Sequence, residues 1–229
     1  MEIVHKKYST YTDIEKQQHT IEFLVSILSA ITEYRDVKSD NPVAFYHVKR
    51  IQKYTNVLLK KLRDKYPEYG IIEDSDITAI TLASSLHDIG KIAIPDNILM
   101  KPTKLSREEF DIMKRHTIYG TDILDRFVTF EDEFYRYCYD ICKYHHERWD
   151  GKGYPVGLVG EKIPIWAQIV GLADVYDALV NAKVYRGAFE REKAEEMIIS
   201  GACGSFNPKV IACFKECLEE FNNINEQYT

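Results

Sequence analysis

The chain has 229 residues, of which 45% are hydrophobic and 29% charged, enough for a sizeable core under an ordinary polar surface. Its net charge of −6 argues against a nucleic-acid polymer as partner, because a polyphosphate needs a basic footprint. No window approaches eighteen uninterrupted apolar residues, and the N-terminus lacks the apolar run of a secretory signal, so a cytoplasmic protein is expected, with no membrane partner and its five cysteines reduced.

The first predicted helix runs from Thr12 to Arg35, with Ile21, Leu24, Val25, Leu28 and Ile31 on one face. Ser39, Asp40, Asn41 and Pro42 read as a turn, and a second helix begins near Pro42 with Ile51, Tyr54, Leu58 and Leu62 at core spacing. Residues Asp74 to Ile89 read as a third helix, opened by an Asp/Ser cap and closed at Gly90. Ser106 and Glu109 form a capping box that starts one long helix to Phe127. A helix ending at His145 and His146 leads into a loop rich in glycine, and Ile165 starts another helix through Asp174. The tail carries a helix around Lys193–Ile198 and a last one after Asn207-Pro208. Cys138/Cys142 and Cys213/Cys217 are four apart on helices and read as core thiols. No strand-like alternation or repeat persists, so the fold class is all-α.

Only seven histidines occur, and His47, His87, His116, His145 and His146 fall on inward-facing helical stretches together with Asp88 and Asp174. One such histidine would read as a hydrogen-bonded core residue; five, with two carboxylates, would be costly to bury without compensation. Divalent ions would remove that cost, and mixed imidazole and carboxylate donors suit Fe or Mn. On an α-helix, His87, Asp88 and Lys91 share one arc, with Lys91 one turn beyond the two candidate ligands.

His87-Asp88-Ile89-Gly90-Lys91 resembles the HDxGK signature of HD-domain phosphohydrolases. The segment YHHERWDGKGYPVGLVGEKIP, containing Gly153-Tyr154-Pro155, resembles the defining HD-GYP signature, and the likeness covers roughly residues 40 to 220. The resemblance implies a five-helix HD bundle with flanking helices over residues 41–229. Residues 1–40 would be a helical extension or signalling connector to a sensor or receiver domain, with a homodimer as another possible assembly. It also implies that His47, His87, Asp88 and Asp174 hold one metal and that Asp88 bridges to a second, held by His116, His145 and His146. Lys91 would meet the scissile phosphate, Tyr154 and Pro155 would border the ligand, and Lys183 and Arg186 would contact its phosphates or bases. Arg50 and Lys114 are expected at the surface or behind the site.

The implied activity is hydrolysis of cyclic di-GMP to pGpG, with GMP from a second cut. In-line attack by a hydroxide held between the metals is expected, with Lys91 and Asp88 as the catalytic pair. Two readings stand beside it: an HD hydrolase of another cyclic dinucleotide or nucleotide, and a signalling module that binds without turnover. Members with three metals carry a glutamate just before the first histidine; here Val43 stands four before His47 and no Glu lies between Glu33 and His47, so two ions are expected. Gln168 stands where many members have arginine.

Overall fold

A computed structural model describes residues 12–36, 46–71, 73–127, 132–181 and 187–228. Within them the chain is helical, and the isolated antiparallel bridge between Asp150 and Val159 is the sole extended pairing among the described residues. The elements are α1 (Asp13–Asp36), α2 (His47–Lys65), α3 (Asp74–Ala83), α4 (Asp96–Leu99), α5 (Arg107–Lys114), α6 (His116–Phe127), α7 (Glu133–Tyr144), α8 (Ile165–Val180), α9 (Arg191–Ile199), α10 (Pro208–Glu216) and α11 (Leu218–Gln227).

Helices α2, α3, α7 and α8 close around one core, and α6 packs on α7. Ile51, Tyr54, Leu58 and Leu62 of α2 are fully buried, as their spacing requires. Helix α8 is apolar almost all round and buried on nearly every side, so its Asp174 and Asp177 need dedicated partners. Asn207 caps α10 by accepting from the backbone N–H of Lys209 at 2.8 Å, and Phe221 of α11 stacks on Tyr54 at 4.4 Å between centroids. The thiols of Cys138, Cys142, Cys213 and Cys217 all lie in this core. No helix among the described residues is long and apolar enough to cross a membrane.

Three predicted helix extents are corrected. Helix α3 starts from a Glu73 cap, whose N–H bonds the Asp76 carboxylate, and ends at Ala83; a 3-10 turn (Ser84–Leu86), a bend at His87-Asp88 and a second 3-10 segment (Ile89–Ala93) replace its expected continuation. Close packing explains the change: a Cβ at Gly90 would lie 1.9 Å from the His116 carbonyl oxygen, so this segment is pressed against the start of α6. The long helix opened by Ser106 does have its capping box but breaks at Arg115 into α5 and α6. The last helix likewise breaks at Cys217. Helix α1 docks through Val25, Ser29 and Thr32, with Ser29 Oγ donating to the Ser85 carbonyl at 2.8 Å. Of its apolar face, Ile21, Leu24, Leu28 and Ile31 are exposed, while Val25 joins the main core and the helix packs along the two 3-10 segments. The start expected near Pro42 lies outside the described residues.

Candidate metal centre

Five histidines arrive from four places in the fold. His47 opens α2, His87 and Asp88 occupy the bend after α3, His116 opens α6, and His145 and His146 follow the last residue of α7. Asp174 projects from the middle of α8, with Oδ1 3.8 Å from His47 Nε2. A Cβ at Gly171 would lie 2.2 Å from the His145 carbonyl oxygen, so α8 approaches the double histidine at backbone contact. Asp88 is the hub. Its Oδ1 lies 3.2 Å from His116 Nε2 and 3.8 Å from His145 Nε2, and its Oδ2 lies 3.2 Å from His87 Nε2 and 2.9 Å from Lys91 Nζ.

The far side of four of these rings is fixed by an acceptor. His87, His116 and His145 place Nδ1 at 2.9, 2.8 and 2.8 Å from the carbonyl oxygens of Ser84, Met113 and Ile141. His47 places Nδ1 2.7 Å from Oδ2 of Asp177. A carbonyl or carboxylate oxygen can only accept, so each Nδ1 carries a proton and Nε2 is the nitrogen turned inward, toward the carboxylates. That is the arrangement metal-ligating histidines adopt, with an outer acceptor setting tautomer and ring angle.

The donor set fits divalent ions. Ligand atoms of Asp88, His116, His145 and His146 lie within 4.8 Å of one another, as do those of His47, His87 and Asp88. His87 Nε2 and Asp88 Oδ1 are buried without a hydrogen-bond partner. His116 Nε2 and His145 Nε2 face each other at 3.4 Å, lone pair against lone pair, which only a cation or a proton between them relieves.

Charge states follow from burial and Asp88. Burial pushes the His145 pKa down to about 3 and lowers that of His116 and, strongly, of His146. Burial opposes the His87 cation as well, but the Asp88 carboxylate outweighs it and raises His87 to about 9. Burial also works against the Asp88 anion, yet Lys91 and His87 hold its carboxyl well below the usual range.

Lys91 reaches Asp88 because the 3-10 turn brings residues three apart together, rather than through the helical arc expected from spacing. Tyr154 stacks its ring on His146 at 4.6 Å and 26°, so it backs a candidate ligand. Pro155 follows a cis Tyr154–Pro155 bond in the same loop and is partly buried. Lys183 and Arg186 lie outside the described residues, as does Val43. Gln168 donates from Nε2 to the Ile163 carbonyl at 2.6 Å and so braces the start of α8.

Two residues matter that the motifs left out, Asp177 and Glu147, and Arg50 links to the first of them. Asp177 joins His47 to the buried Arg50, whose Nε and Nη2 donate to its two oxygens at 2.5 and 3.0 Å. Arg50 is therefore a supporting group behind the site, one of the two places expected for it. Glu147, directly after the double histidine, accepts from the backbone N–H groups of Val156, Gly157 and Leu158 at 2.7 to 3.1 Å, tying the GYP loop to the candidate ligands.

A family model described as HD domain matches residues 39–210. This chain belongs to the HD domain family. The match spans every candidate ligand, so the Asp88 hub is part of the HD domain itself. The domain is 38% identical over 198 residues to a cyclic di-GMP phosphodiesterase of Vibrio cholerae, covering 85% of this chain and 39% of that protein. It is 38% identical over 175 residues to a 3'3'-cGAMP-specific phosphodiesterase 2 of the same organism, covering 76% of this chain and 31% of that one. The chain thus spans well under half the length of these relatives. Among solved structures it resembles Bd1817, an HDG"Y"P protein from Bdellovibrio bacteriovorus, with a TM-score of 0.58 and 19% identity over 93% of this chain and 74% of that one, a likeness of fold.

Proposed function

We propose that this HD domain is a metal-dependent phosphodiesterase that opens a cyclic dinucleotide, with cyclic di-GMP as substrate and pGpG as first product. The observation that carries the reading is the convergence of four acceptor-locked histidine Nε2 atoms on the Asp88 and Asp174 carboxylates. His47, His87, Asp88 and Asp174 would hold one ion and Asp88, His116, His145 and His146 a second, Fe or Mn by donor type. Bound there, such ions supply a Lewis acid for the phosphate and an activated water at neutral pH.

The chain's own groups do the rest. Lys91, beside Asp88, places an ammonium where charge develops on the phosphate or the leaving 3′-oxygen. Asp88 stays anionic between its cationic neighbours and orders the histidines around it. The GYP loop, with Tyr154 and Pro155, borders the ligand, and Lys183 and Arg186 would contact its phosphates or bases. The similarity to named cyclic di-GMP phosphodiesterases supports this substrate class, and the likeness to a 3'3'-cGAMP-specific enzyme keeps that dinucleotide as the second reading. The exposed Ile21, Leu24, Leu28 and Ile31 of α1, at alternating three- and four-residue steps, suit a connector helix that pairs with another helix, in a homodimer or from an upstream domain.

Turnover of cyclic di-GMP and 3'3'-cGAMP, measured side by side on metal-replete and chelator-stripped protein, tests the reading. It predicts metal-dependent hydrolysis that favours cyclic di-GMP. Preference for 3'3'-cGAMP would change the substrate and keep the reaction, whereas no turnover of either would leave a binding module.

A further inference from the structure

Three aromatic rings lead outward from the metal cluster. His146 stacks on Tyr154, and Tyr154 meets Phe110 of α5 edge to face, with centroids 6.3 Å apart and planes at 83°. Phe110 ends this row 47% exposed, although a phenyl ring gains nothing from contact with water. One turn later on the same helix, Lys114 holds its ammonium 5.3 Å from the Phe110 centroid and 5.9 Å from that of Tyr154, with Asp111 Oδ1 2.5 Å away.

The helix that carries this pair is held in place. Ser106 and Glu109 close a capping box at its start, Lys101 pairs with Glu109 at 2.6 Å, and Met113 packs on the satellite core of Ile94, Ile98 and Leu99. A ring and a cation fixed in advance lose little freedom when a ligand arrives. An exposed aromatic face beside a positive charge is the pairing that binds unpaired nucleotides, the ring stacking on a base and the cation meeting a phosphate.

We propose that Phe110 is a base-stacking residue of the ligand site and that Lys114 faces a phosphate of the same ligand. One nucleobase of a cyclic dinucleotide then rests on α5 while the scissile phosphate lies at Asp88. This assignment rests on the phosphodiesterase reading above. It gives Lys114 a ligand role that its sequence position did not suggest, and it makes α5 a determinant of affinity for the base that is remote from the chemistry.

Steady-state kinetics and equilibrium binding of cyclic di-GMP on the full metal-loaded chain test it with Phe110→Ala, Phe110→Leu and Phe110→Trp. Loss of the ring should raise KM and Kd about tenfold, the scale of one lost base stack, with kcat little changed. Leucine should fail like alanine despite its apolar bulk, tryptophan should restore affinity, and Lys114→Met should weaken binding while flattening its salt dependence. Wild-type KM and Kd in Phe110→Ala would overturn the proposal. So would a fall in kcat and metal content that tryptophan does not repair, which marks a purely structural ring. A wild type that turns over no cyclic dinucleotide defeats the phosphodiesterase reading itself, a result that the wild-type control separates from any failure of Phe110.

Discussion

Asp177 Oδ2 accepts from His47 Nδ1 at 2.7 Å while the same carboxylate takes two hydrogen bonds from the buried guanidinium of Arg50. One buried anion therefore aims a candidate metal ligand and compensates a buried cation. Burial works against the anion, but His47 and Arg50 hold Asp177 down at about 2. Because its folded pKa is depressed, its contribution to stability is present above the unfolded value of about 4 and is lost as the pH falls toward about 2. Asp177→Asn should cost about 3–5 kcal/mol in chemical denaturation, since it strands the Arg50 charge. It should also weaken metal binding roughly 10- to 100-fold, which a competitive chelator titration reads.

Metal uptake should release protons in a way set by His87. Without metal, His87 is raised to about 9 and is charged at neutral pH, whereas His116, His145 and His146 are lowered and already neutral. A metal on His87 Nε2 must displace that proton, so apparent affinity should rise with pH up to about 9 and level off above it. Calorimetry in buffers of different ionisation enthalpy should find proton release at pH 7 that disappears in His87→Ala. Release unchanged by that substitution would place the proton elsewhere.

Lys91 and Asp88 are in contact at 2.9 Å, yet a protonated lysine offers no lone pair to a metal. Lys91→Ala should keep its metal content and lose on the order of a hundredfold in kcat, as for other lost electrostatic donors. Wild-type turnover by this variant would remove the ammonium from the reaction.

The GYP loop should act on every substrate. The HD-GYP resemblance implies that Tyr154 touches the ligand's remote parts, so that its loss would spare a small diester. Its stacking on His146, and the Glu147 carboxylate that clamps Val156 to Leu158, couple the loop to the ligands instead. Glu147→Ala and Tyr154→Ala should therefore lower kcat/KM for cyclic di-GMP and for bis(p-nitrophenyl) phosphate by comparable factors. A loss confined to the dinucleotide would return Tyr154 to a role in binding alone.

The helical class and the histidine set were legible because apolar spacing and rare residue types are local signals. Ile51, Tyr54, Leu58 and Leu62 announced the buried face of α2 without any tertiary knowledge. The bend at His87-Asp88 was not legible, since the run before it continues the helical pattern and only the contact of Gly90 with His116 ends it. The apolar face of α1 left its partner open, because periodicity shows that a face is apolar and not which surface meets it. Asp177 could have been found, being a second carboxylate one turn after Asp174 in the same apolar helix. Glu147 gave no such sign, because its partners are backbone groups nine to eleven residues away.

The central claim is that Asp88 joins two ions in one centre, and metal content per chain in wild type and Asp88→Ala tests it most directly. Protein purified without oxygen and loaded with Fe or Mn should hold two ions per chain. Asp88→Ala should lose both while remaining folded by circular dichroism, because its two oxygens face separate halves of the histidine cluster. A folded Asp88→Ala protein that keeps both ions, or a wild type that fills three sites, would contradict the account.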